Sequence, residues 1–471
     1  MKKQVYNPYL PSYEYIPDGE PRVFGDRLYI FGSHDRFDGT DYCQNDYVCW
    51  STPVDDLSSW RYEGVIFRKD QHPYKVGTGN LYAPDVTQGP DGRYYLYYSV
   101  ANSCIMSVAV SDNVVGPYEY YGDIKDEYGH VLGSSEGDFY QFDPSILVDD
   151  DGRIFLYSGF NPPFTKKLLK RKIVGAYVME LNTDMLTVKA GPKIIMPRKK
   201  QNADSNNFFE ASSIRKINGI YYFVYFSVNA LSQVGLCYAT SKYPDKDFVY
   251  RGVIHSNSDL GLNGHNIKNP AYPLGNNHGG IVCINGQYYI FNHRMTNRTS
   301  YSRQGIAEPI TIESDGSIKQ VEMTSCGLNG GPLEGKGEYP AYIACCLMSK
   351  PVLLGMKSPK RSPYMTQAGA DREDNPNQYI ASMKNGCTAG YKYFNFNKVS
   401  RISVKVRGDA SGELRVQLSE KGEAISIIKI TPCGIEWTEF SAEFNVKPGT
   451  HPLYFVYKGK GTFDLMSFNI Q

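Results

Sequence analysis

The sequence lacks the features of a membrane protein, a nucleic-acid-binding protein or a disulfide-stapled domain. No window approaches the roughly 18 to 20 apolar residues of a membrane span, so no membrane partner is expected. With 50 basic and 49 acidic residues the net charge is only +1, and without a basic excess we expect no nucleic-acid partner. The ten cysteines form no CxxC pair, which favours free thiols in a reducing compartment. No signal peptide is visible, and we therefore expect a cytoplasmic protein.

Tryptophan is also scarce, whereas tyrosine, phenylalanine, glycine and proline are abundant. The 471 residues include 3 Trp but 39 Tyr and 22 Phe, together with 45 Gly and 27 Pro. Aromatic residues suit β-strands, and glycine and proline spread along the chain favour frequent turns over long helices. The length allows several domains, or one large repetitive fold with a smaller partner. The composition predicts an all-β protein.

A turn followed by an aromatic strand recurs five times in the first 300 residues. The copies read GDRLYIF, DGRYYLYYS, DGRIFLYSG, NGIYYFVYFS and NGQYYIFNH, and measured at the turn they are 66, 60, 67 and 67 residues apart. Asn-Gly and Asp-Gly between apolar runs favour type I′ hairpins. The remaining ~40 residues of each copy can hold two more strands. This repeat predicts a five-bladed β-propeller over residues 1–330.

One chemically active residue precedes each hairpin at a similar offset. These residues are Asp18, Asp85, Asp143, Glu210 and His278. Because the first strand of every propeller blade lines the central axis, they are expected to converge at one mouth of the channel. An acid before a hairpin can also cap backbone amides, which is the alternative for any single position. Clustered carboxyls in an enclosed site force their pKa values apart, and the pattern therefore predicts acid–base chemistry.

The C-terminal part has a different pattern. The blade repeat stops near Pro351, and we expect a linker at 331–360. Over 361–471 short alternating segments follow, among them RISVKVRG, ELRVQLSE, AISIIKI and HPLYFVYKG. Alternation with turns about every ten residues predicts a β-sandwich.

The blade segments resemble glycoside hydrolase family 43, whose members are five-bladed propeller enzymes that cleave arabinofuranosides, xylosides and sometimes galactosides. The resemblance rests on YEYIPDGEPRVFGDRLYIFGSHD, NLYAPDVTQGPDGRYYLYYS, FDPSILVDDDGRIFLYSG, FFEASSIRKINGIYYFVYFS and NHGGIVCINGQYYIFNHR, and it covers most of residues 7–320. It implies that Asp18 is the general base and Glu210 the general acid. Asp143 would then adjust the pKa and orientation of the proton donor. The sequence Pro-Asp-Gly around Asp18 departs from the usual Ala-Asp-Pro and marks a subgroup.

The same resemblance suggests binding residues. Arg303 is similar to a family arginine that contacts sugar hydroxyls, Arg294 is a second candidate, and Asp85 is assigned to substrate binding. His278 resembles an axial histidine that supports a calcium ion or an ordered water; the alternative is a histidine packed in the channel wall. The C-terminal domain resembles a carbohydrate-binding module of family 6, in which calcium is common. No organic cofactor is implied.

The expected function is hydrolysis of an oligosaccharide substrate with inversion of configuration. An inverting pair needs carboxyls ~6.5 to 9.5 Å apart, which suits acids on the first and fourth blades. We expect release of a terminal pentose, α-L-arabinofuranose or β-D-xylose, from plant-polysaccharide-derived oligosaccharides. The alternatives are a catalytically silent sugar-binding propeller and a related glycosidase acting on galactofuranosides or galactosides.

Overall fold

The computed structural model describes residues 3–74, 77–162, 170–197, 207–229, 233–349, 363–373 and 377–471. Within these ranges the chain is built of β-strands and contains no α-helix. The all-β prediction is confirmed. None of the described segments forms a helix with the length and apolar character needed to cross a membrane. The helical elements of the described ranges are three 3₁₀ turns: Lys69–Gln71, Gly327–Asn329 and Ala341–Ile343.

Five antiparallel sheets follow one another along the chain and form the five blades of a propeller. Four of them have four strands, and the fifth has three among the described residues. In every blade the strands lie side by side in chain order. The strands of the five blades are β1 (Glu20–Phe24), β2 (Arg27–Phe31), β3 (Tyr47–Pro53) and β4 (Arg61–Phe67); β5 (Leu81–Gln88), β6 (Tyr94–Val100), β7 (Met106–Ser111) and β8 (Glu119–Asp123); β9 (Ser145–Val148), β10 (Ile154–Phe160), β11 (Gly175–Leu181) and β12 (Val188–Pro197); β13 (Phe208–Ile217), β14 (Ile220–Val228), β15 (Gln233–Ser241) and β16 (Val249–His255); β17 (Ile281–Ile284), β18 (Gln287–Met295) and β19 (Arg303–Ile310).

The first strands of the blades surround the central channel. Strand β1 contacts β5 and β17, and β9 contacts β5 and β13. The residues that precede or begin these strands therefore meet at the axis.

The hairpins that start the blades are of three kinds. In the first blade Gly25 and Asp26 join β1 to β2, and only Gly25 has positive φ, so this turn is not of type I′. Asn218–Gly219 and Asn285–Gly286 have positive φ at both residues, as the type I′ turn predicted from the sequence requires. In the second and third blades only the glycine of the Asp-Gly pair, Gly92 or Gly152, has positive φ. The expectation of a type I′ turn in every blade is wrong there, because these two hairpins use a longer loop.

Tyrosine and phenylalanine fill the spaces between neighbouring blades. Between the third and fourth blades, for example, Tyr157, Phe223 and Tyr225 are buried in one cluster. Each fully buried side chain of this size contributes roughly 1.5 to 3 kcal/mol. Their hydroxyl groups reach loop carbonyls, as in the bonds from Tyr97 to Met185 O at 2.6 Å and from Tyr157 to Pro244 O at 2.5 Å. The rings of these tyrosines therefore pack in the apolar core, while their hydroxyl groups donate hydrogen bonds to buried carbonyl groups of the loops.

The C-terminal domain is a sandwich of two sheets. One has the order β20-β25-β30-β27-β28 with β22 beside β25, and the other has the order β23-β24-β31-β26-β29 with β21 beside β31. The strands are β20 (Leu333–Glu334), β21 (Gly337–Pro340), β22 (Cys346–Met348), β23 (Tyr364–Gln367), β24 (Gln378–Lys384), β25 (Thr388–Phe396), β26 (Arg401–Gly408), β27 (Ser411–Gln417), β28 (Ser426–Ile430), β29 (Gly434–Glu443), β30 (Gly449–Lys460) and β31 (Thr462–Ile470).

The sandwich begins earlier than the sequence suggested. Strands β20, β21 and β22 lie inside the expected linker at 331–360, yet they pair with β25 and β31. Residues 350–360 of that linker lie outside the described residues. The sandwich core also continues into the propeller, where it includes Tyr272, Ile306 and Met323. The two domains therefore share one apolar core.

The N-terminal segment closes the propeller between the fifth and first blades. The Asn7 side chain accepts a bond from Ala307 N at 3.0 Å and donates to Ala307 O at 3.0 Å. It also donates to Glu308 Oε1 at 2.9 Å, and Asn7 N donates to Ser325 O at 3.1 Å. Asn7 thus links the N-terminal segment to strand β19 of the fifth blade by hydrogen bonds.

We expect Asn7→Ala to destabilise the protein by about 2 kcal/mol or more, because buried backbone groups of Ala307 lose their partner. Thermal or urea unfolding measures this change. Gln88→Ala is the control, since the Gln88 side chain makes an exposed bond to Gly92 O. An equal midpoint for Asn7→Ala and this control would contradict a closing role for Asn7.

Candidate active site

A pocket of ≈ 480 Å³ opens at one mouth of the propeller channel. Four of the five residues singled out by the repeat line it: Asp18, Asp143, Glu210 and His278. Arg303, also expected at the site, lines the pocket with them. The structure thus brings together the three acids, the histidine and one arginine.

Asp18 lies two residues before β1 and has a left-handed backbone, with φ of 56°. Its amide donates to His293 Nδ1 at 3.2 Å, and its Oδ1 accepts from Arg303 Nη1 at 2.9 Å. Burial is the largest single influence and opposes ionisation of Asp18, but the Arg303 guanidinium, followed by His293, His278 and a hydrogen bond from Ser33, together lower the pKa of this carboxyl below its ordinary value. Asp18 is therefore an ionised carboxylate near neutral pH.

Arg303 is held from the opposite side by Asp35. The Asp35 carboxylate accepts from Arg303 Nε at 2.8 Å and from Nη2 at 3.0 Å. The guanidinium lies 4.9 Å from the ring centroid of Tyr42, which lines the pocket. Two carboxylates and an aromatic face thus orient one buried cation.

Glu210 enters the pocket because β13 is irregular at this point. The register between β13 and β14 shifts on both sides of Glu210, and the next residue, Ala211, has φ of 68°. Ala211 N donates to Asp143 Oδ2 at 2.9 Å. The bulge therefore turns Glu210 toward the pocket and ties its backbone to Asp143.

The two acids of the third and fourth blades favour their protonated forms. Burial, reinforced by the negative charge of Asp18, raises the pKa of Glu210 to about 8. Burial and then the carboxyls of Glu210 and Asp18 raise the pKa of Asp143 above its ordinary value. The pocket thus presents the ionised Asp18 opposite a protonated Glu210.

His278 lies between the acids. Its Nδ1 is 3.7 Å from Asp143 Oδ2 and 4.0 Å from Asp18 Oδ1. Burial lowers the pKa of His278 to about 4 and that of His293 to about 3, so both imidazoles are uncharged at neutral pH. The positive charge beside Asp18 is therefore that of Arg303.

Asp85 does not line the pocket, contrary to its expected place at the substrate. Its carboxylate is fully buried and accepts from Arg22 Nε at 3.0 Å and from Nη2 at 2.5 Å. It also accepts from Ile146 N at 2.9 Å. Asp85 thus joins the inner strands of three blades inside the channel, because Arg22 on β1 takes up its charge.

Arg294 is also absent from the pocket. It is fully buried, donates to Ala344 O at 3.1 Å and to Gln304 Oε1 at 2.9 Å, and lies near the Tyr272 ring. These partners are at the junction with the sandwich. The expectation that Arg294 contacts sugar is wrong because strand alternation directs it away from the channel.

An aromatic wall lines one side of the pocket. The ring centroids are 5.9 Å apart for Tyr82 and Phe142, 4.8 Å for Phe142 and Phe160, and 5.6 Å for Phe160 and Phe209. We call these four residues the aromatic wall. Such a surface packs well against the apolar faces of a sugar ring.

Several site residues could not be found from the repeat. Asp35, Tyr42 and Cys43 lie between β2 and β3, outside the phase of the hairpins, and His293 lies late in β18. The repeat also gave no indication of the aromatic wall, because aromatic residues occur along the whole chain. Only the folded loops show which of them meet the acids.

A family model described as "Glycosyl hydrolases family 43" matches residues 17–318. The protein belongs to glycoside hydrolase family 43. The chain is 51% identical over 481 residues to the "Xylosidase/arabinosidase" of Thermoclostridium stercorarium, covering 100% of this chain and 99% of that protein. As a family 43 member it is a glycosidase, and the resemblance of the blade segments to this family is confirmed, whereas the resemblance of the C-terminal domain to a carbohydrate-binding module of family 6 stays a prediction.

Solved structures of family 43 enzymes share the architecture. An arabinoxylan arabinofuranohydrolase from Bacillus subtilis, in complex with cellotetraose, superposes with a TM-score of 0.51 at 21% identity over 99% of this chain and 97% of that one. The β-xylosidase/α-arabinofuranosidase CoXyl43 from a compost metagenome, in complex with xylotriose and in a calcium-free form, has a TM-score of 0.51 at 25% identity, over 66% of this chain and 96% of that one. The prediction of a propeller followed by a β-sandwich is confirmed.

The axial residues of this family 43 chain do not fit a calcium ion. His278 Nε2 is buried without a partner, but calcium prefers six to eight oxygen ligands. Gly280, two residues later, lies so close to Glu20 that a Cβ there would be 2.7 Å from its Oε2. That oxygen already accepts from Arg215 Nη2 at 2.7 Å.

Together with the Arg22–Asp85 pair, two guanidiniums thus bind three of the four carboxylate oxygens of Glu20 and Asp85, and Glu20 Oε1 is buried without a partner. No three His, Cys, Asp or Glu side chains are grouped as metal ligands anywhere in the described ranges, those of the sandwich included. The expectation was a calcium ion near His278, held largely by water and oxygen ligands, or one in the C-terminal domain, and no cluster of side-chain ligands in the described residues supports either site.

We expect activity and melting temperature to stay unchanged after exhaustive dialysis against a chelator. The reason is that Arg22 and Arg215 already provide the positive charge of the channel. Assays before and after dialysis, with elemental analysis of the protein, measure this. Loss of activity that added calcium restores would show that the guanidiniums do not replace a metal.

Proposed function

We propose that the protein is an inverting, exo-acting glycosidase that releases a terminal α-L-arabinofuranose or β-D-xylose from oligosaccharides of plant polysaccharides. The observation that carries this proposal is the pair of unlike carboxyls in one pocket. Asp18 is ionised beside Arg303, while the pKa of Glu210 is about 8. An ionised and a protonated carboxyl are what glycoside hydrolysis requires, and the places of Asp18 and Glu210 on the first and fourth blades favour inversion. The name of the Thermoclostridium relative supports the choice of sugars.

In this mechanism Glu210 protonates the departing glycosidic oxygen. Asp18 accepts a proton from a water, whose oxygen then attacks the anomeric carbon from the opposite face of the sugar. The carbon–oxygen bond to the leaving group breaks as the new bond forms, and the anomeric configuration inverts. No covalent sugar–enzyme intermediate is involved.

Asp143 and Arg303 assist the two reacting carboxyls. Asp143 accepts from Ala211 N and so holds the backbone next to Glu210. The neighbouring Glu210 carboxyl in turn helps to raise the pKa of Asp143, which therefore stays protonated beside it. Arg303 keeps Asp18 ionised and leaves its second oxygen, Oδ2, for the water.

The shape of the site supports action at a chain end. Glu210, Asp18 and His278 line a pocket of ≈ 480 Å³ whose side is formed by the aromatic wall. We propose that the terminal sugar lies against the acids and that the wall packs against the sugar it is attached to. The silent sugar-binding alternative is disfavoured by the opposite ionisation of Asp18 and Glu210, for which binding alone has no use.

Glu210→Gln is expected to slow hydrolysis of natural oligosaccharides by about 10² to 10⁴ fold, since general acid catalysis contributes that much. Nitrophenyl arabinofuranosides and xylosides should lose less, because their leaving groups need little proton assistance. Rates on both substrate kinds measure the difference, and nitrophenyl galactofuranoside tests the alternative sugar. Equal losses on both kinds would remove Glu210 from the acid role.

The wild-type rate should fall as the pH rises through about 8, the pKa of Glu210, because the acid loses the proton it must donate. On the acidic side the rate should persist below the ordinary pKa of an aspartate, because Arg303 keeps Asp18 ionised. The pH dependence of kcat/KM measures both limbs. An alkaline limb that survives unchanged in Glu210→Gln would assign it to another group.

Asp18→Asn is expected to abolish hydrolysis of natural and activated substrates alike, because water activation is needed for any leaving group. Proton NMR of the first-formed sugar tests the stereochemistry in the wild-type enzyme. An anomer opposite to that of the substrate is expected. A retained anomer would refute the inverting mechanism.

A further inference from the structure

A loop of the sandwich is bonded to the first blade beside the active site. Asp371 follows β23, and its Oδ1 accepts from Phe37 N at 2.7 Å. Its Oδ2 accepts from Asn45 Nδ2 at 3.0 Å. One carboxylate of the C-terminal domain therefore holds both ends of residues 37–45.

That propeller segment, residues 35–45, carries groups of the active site, and we call it the blade-1 loop. Tyr42 and Cys43 line the pocket, and Asp35 orients Arg303. The loop is also bonded within itself, since Cys43 N donates to Asp35 Oδ1 at 3.0 Å and Asn45 Nδ2 to Asp35 O at 3.0 Å. Asn45 thus links Asp371 to Asp35 through one side-chain amide.

The connection continues to the reacting carboxyl. Asp35 holds Arg303 through two side-chain bonds and accepts Arg303 N at 3.0 Å. Arg303 Nη1 then donates to Asp18 Oδ1. Asp35, Arg303 and Asp18 are all buried. The path from Asp371 to Asp18 is an unbroken series of hydrogen bonds.

The neighbouring residue reinforces the attachment. Arg372 Nη1 donates to the Glu14 carboxylate and lies 3.0 Å from His34 Nε2. His34 immediately precedes the blade-1 loop, and its Nδ1 is 2.7 Å from Asp46 O. The sandwich therefore holds the loop at its beginning and at its end.

We propose that Asp371 is a positioning residue for catalysis: by fixing the blade-1 loop it holds Asp35 and Arg303 in place against Asp18. The C-terminal sandwich then helps to complete the active site of the propeller. This proposal rests on the role of Asp18 as the general base. The carboxylate is suited to the task because each of its two oxygens accepts one donor from the loop.

The test compares Asp371→Ala and Asp371→Asn with Glu413→Ala. Glu413 is the matched control because its carboxylate pairs with Arg415 within the sandwich, away from the propeller. We expect Asp371→Ala to lower kcat/KM about tenfold, since small displacements of catalytic groups are costly. Asp371→Asn should lose less, because its amide keeps one acceptor oxygen. Glu413→Ala should match the wild type.

The pH profile distinguishes positioning from a general loss of stability. A loosened Arg303 stabilises ionised Asp18 less, so the pKa of Asp18 rises. The acidic limb of kcat/KM should then move to higher pH in Asp371→Ala, whereas the alkaline limb stays in place. A lower melting temperature with both limbs unmoved would make Asp371 merely structural and overturn the proposal.

A double-mutant cycle with Asn45→Ala tests the route. If Asp371 acts through the loop, Asp371→Ala should lower kcat/KM by a clearly smaller factor in the Asn45→Ala variant than in the wild type. Additive losses would overturn the route. Asp18→Asn is assayed in parallel: if it is inactive while Asp371→Ala matches the wild type, only the positioning role fails. If Asp18→Asn stays active, the proposed base assignment itself fails.

Discussion

The active site depends on one buried cation. Arg303 lies between Asp35 and Asp18, and its charge keeps Asp18 ionised in a place where burial alone would protonate it. The negative charge so retained helps to raise the pKa of Glu210. Arg303 thus favours the ionised form of Asp18, while burial and the negative charge of Asp18 keep Glu210 protonated. Removing Arg303 would leave uncompensated buried carboxylates, and such groups are strongly destabilising.

Below the pocket the channel is neutralised by further ion pairs. Arg22 pairs with Asp85 and Arg215 with Glu20, and the four side chains come from three different blades. The pairs join the inner strands where little apolar surface is available. The two guanidiniums bind three of the four carboxylate oxygens of Glu20 and Asp85. In this chain the same two ion pairs therefore balance the charges in the channel and hold its inner strands together.

The scaffold around these charges stabilises three residues whose backbone conformation is unfavourable. Asp18, Asp143 and Ala211 all have φ between 46° and 68°, a region that is costly for residues other than glycine. Aromatic clusters between the blades and the core shared with the sandwich hold these conformations in place. The sandwich contributes to this rigidity through Asp371 and Arg372, which fasten the blade-1 loop.

The sequence by itself determined the repeat, the all-β class and the convergence of Asp18, Asp143, Glu210 and His278, because the turn spacing sets which residue of each blade reaches the axis. It did not distinguish Asp85 from them, since the pairing with Arg22 joins residues of different blades. Contacts made by loops outside the repeat, such as Asp35 with Arg303 and Asp371 with the blade-1 loop, were decided only by tertiary structure. So were the charge states, because a carboxyl's pKa depends on its burial and on the charges that folding brings beside it.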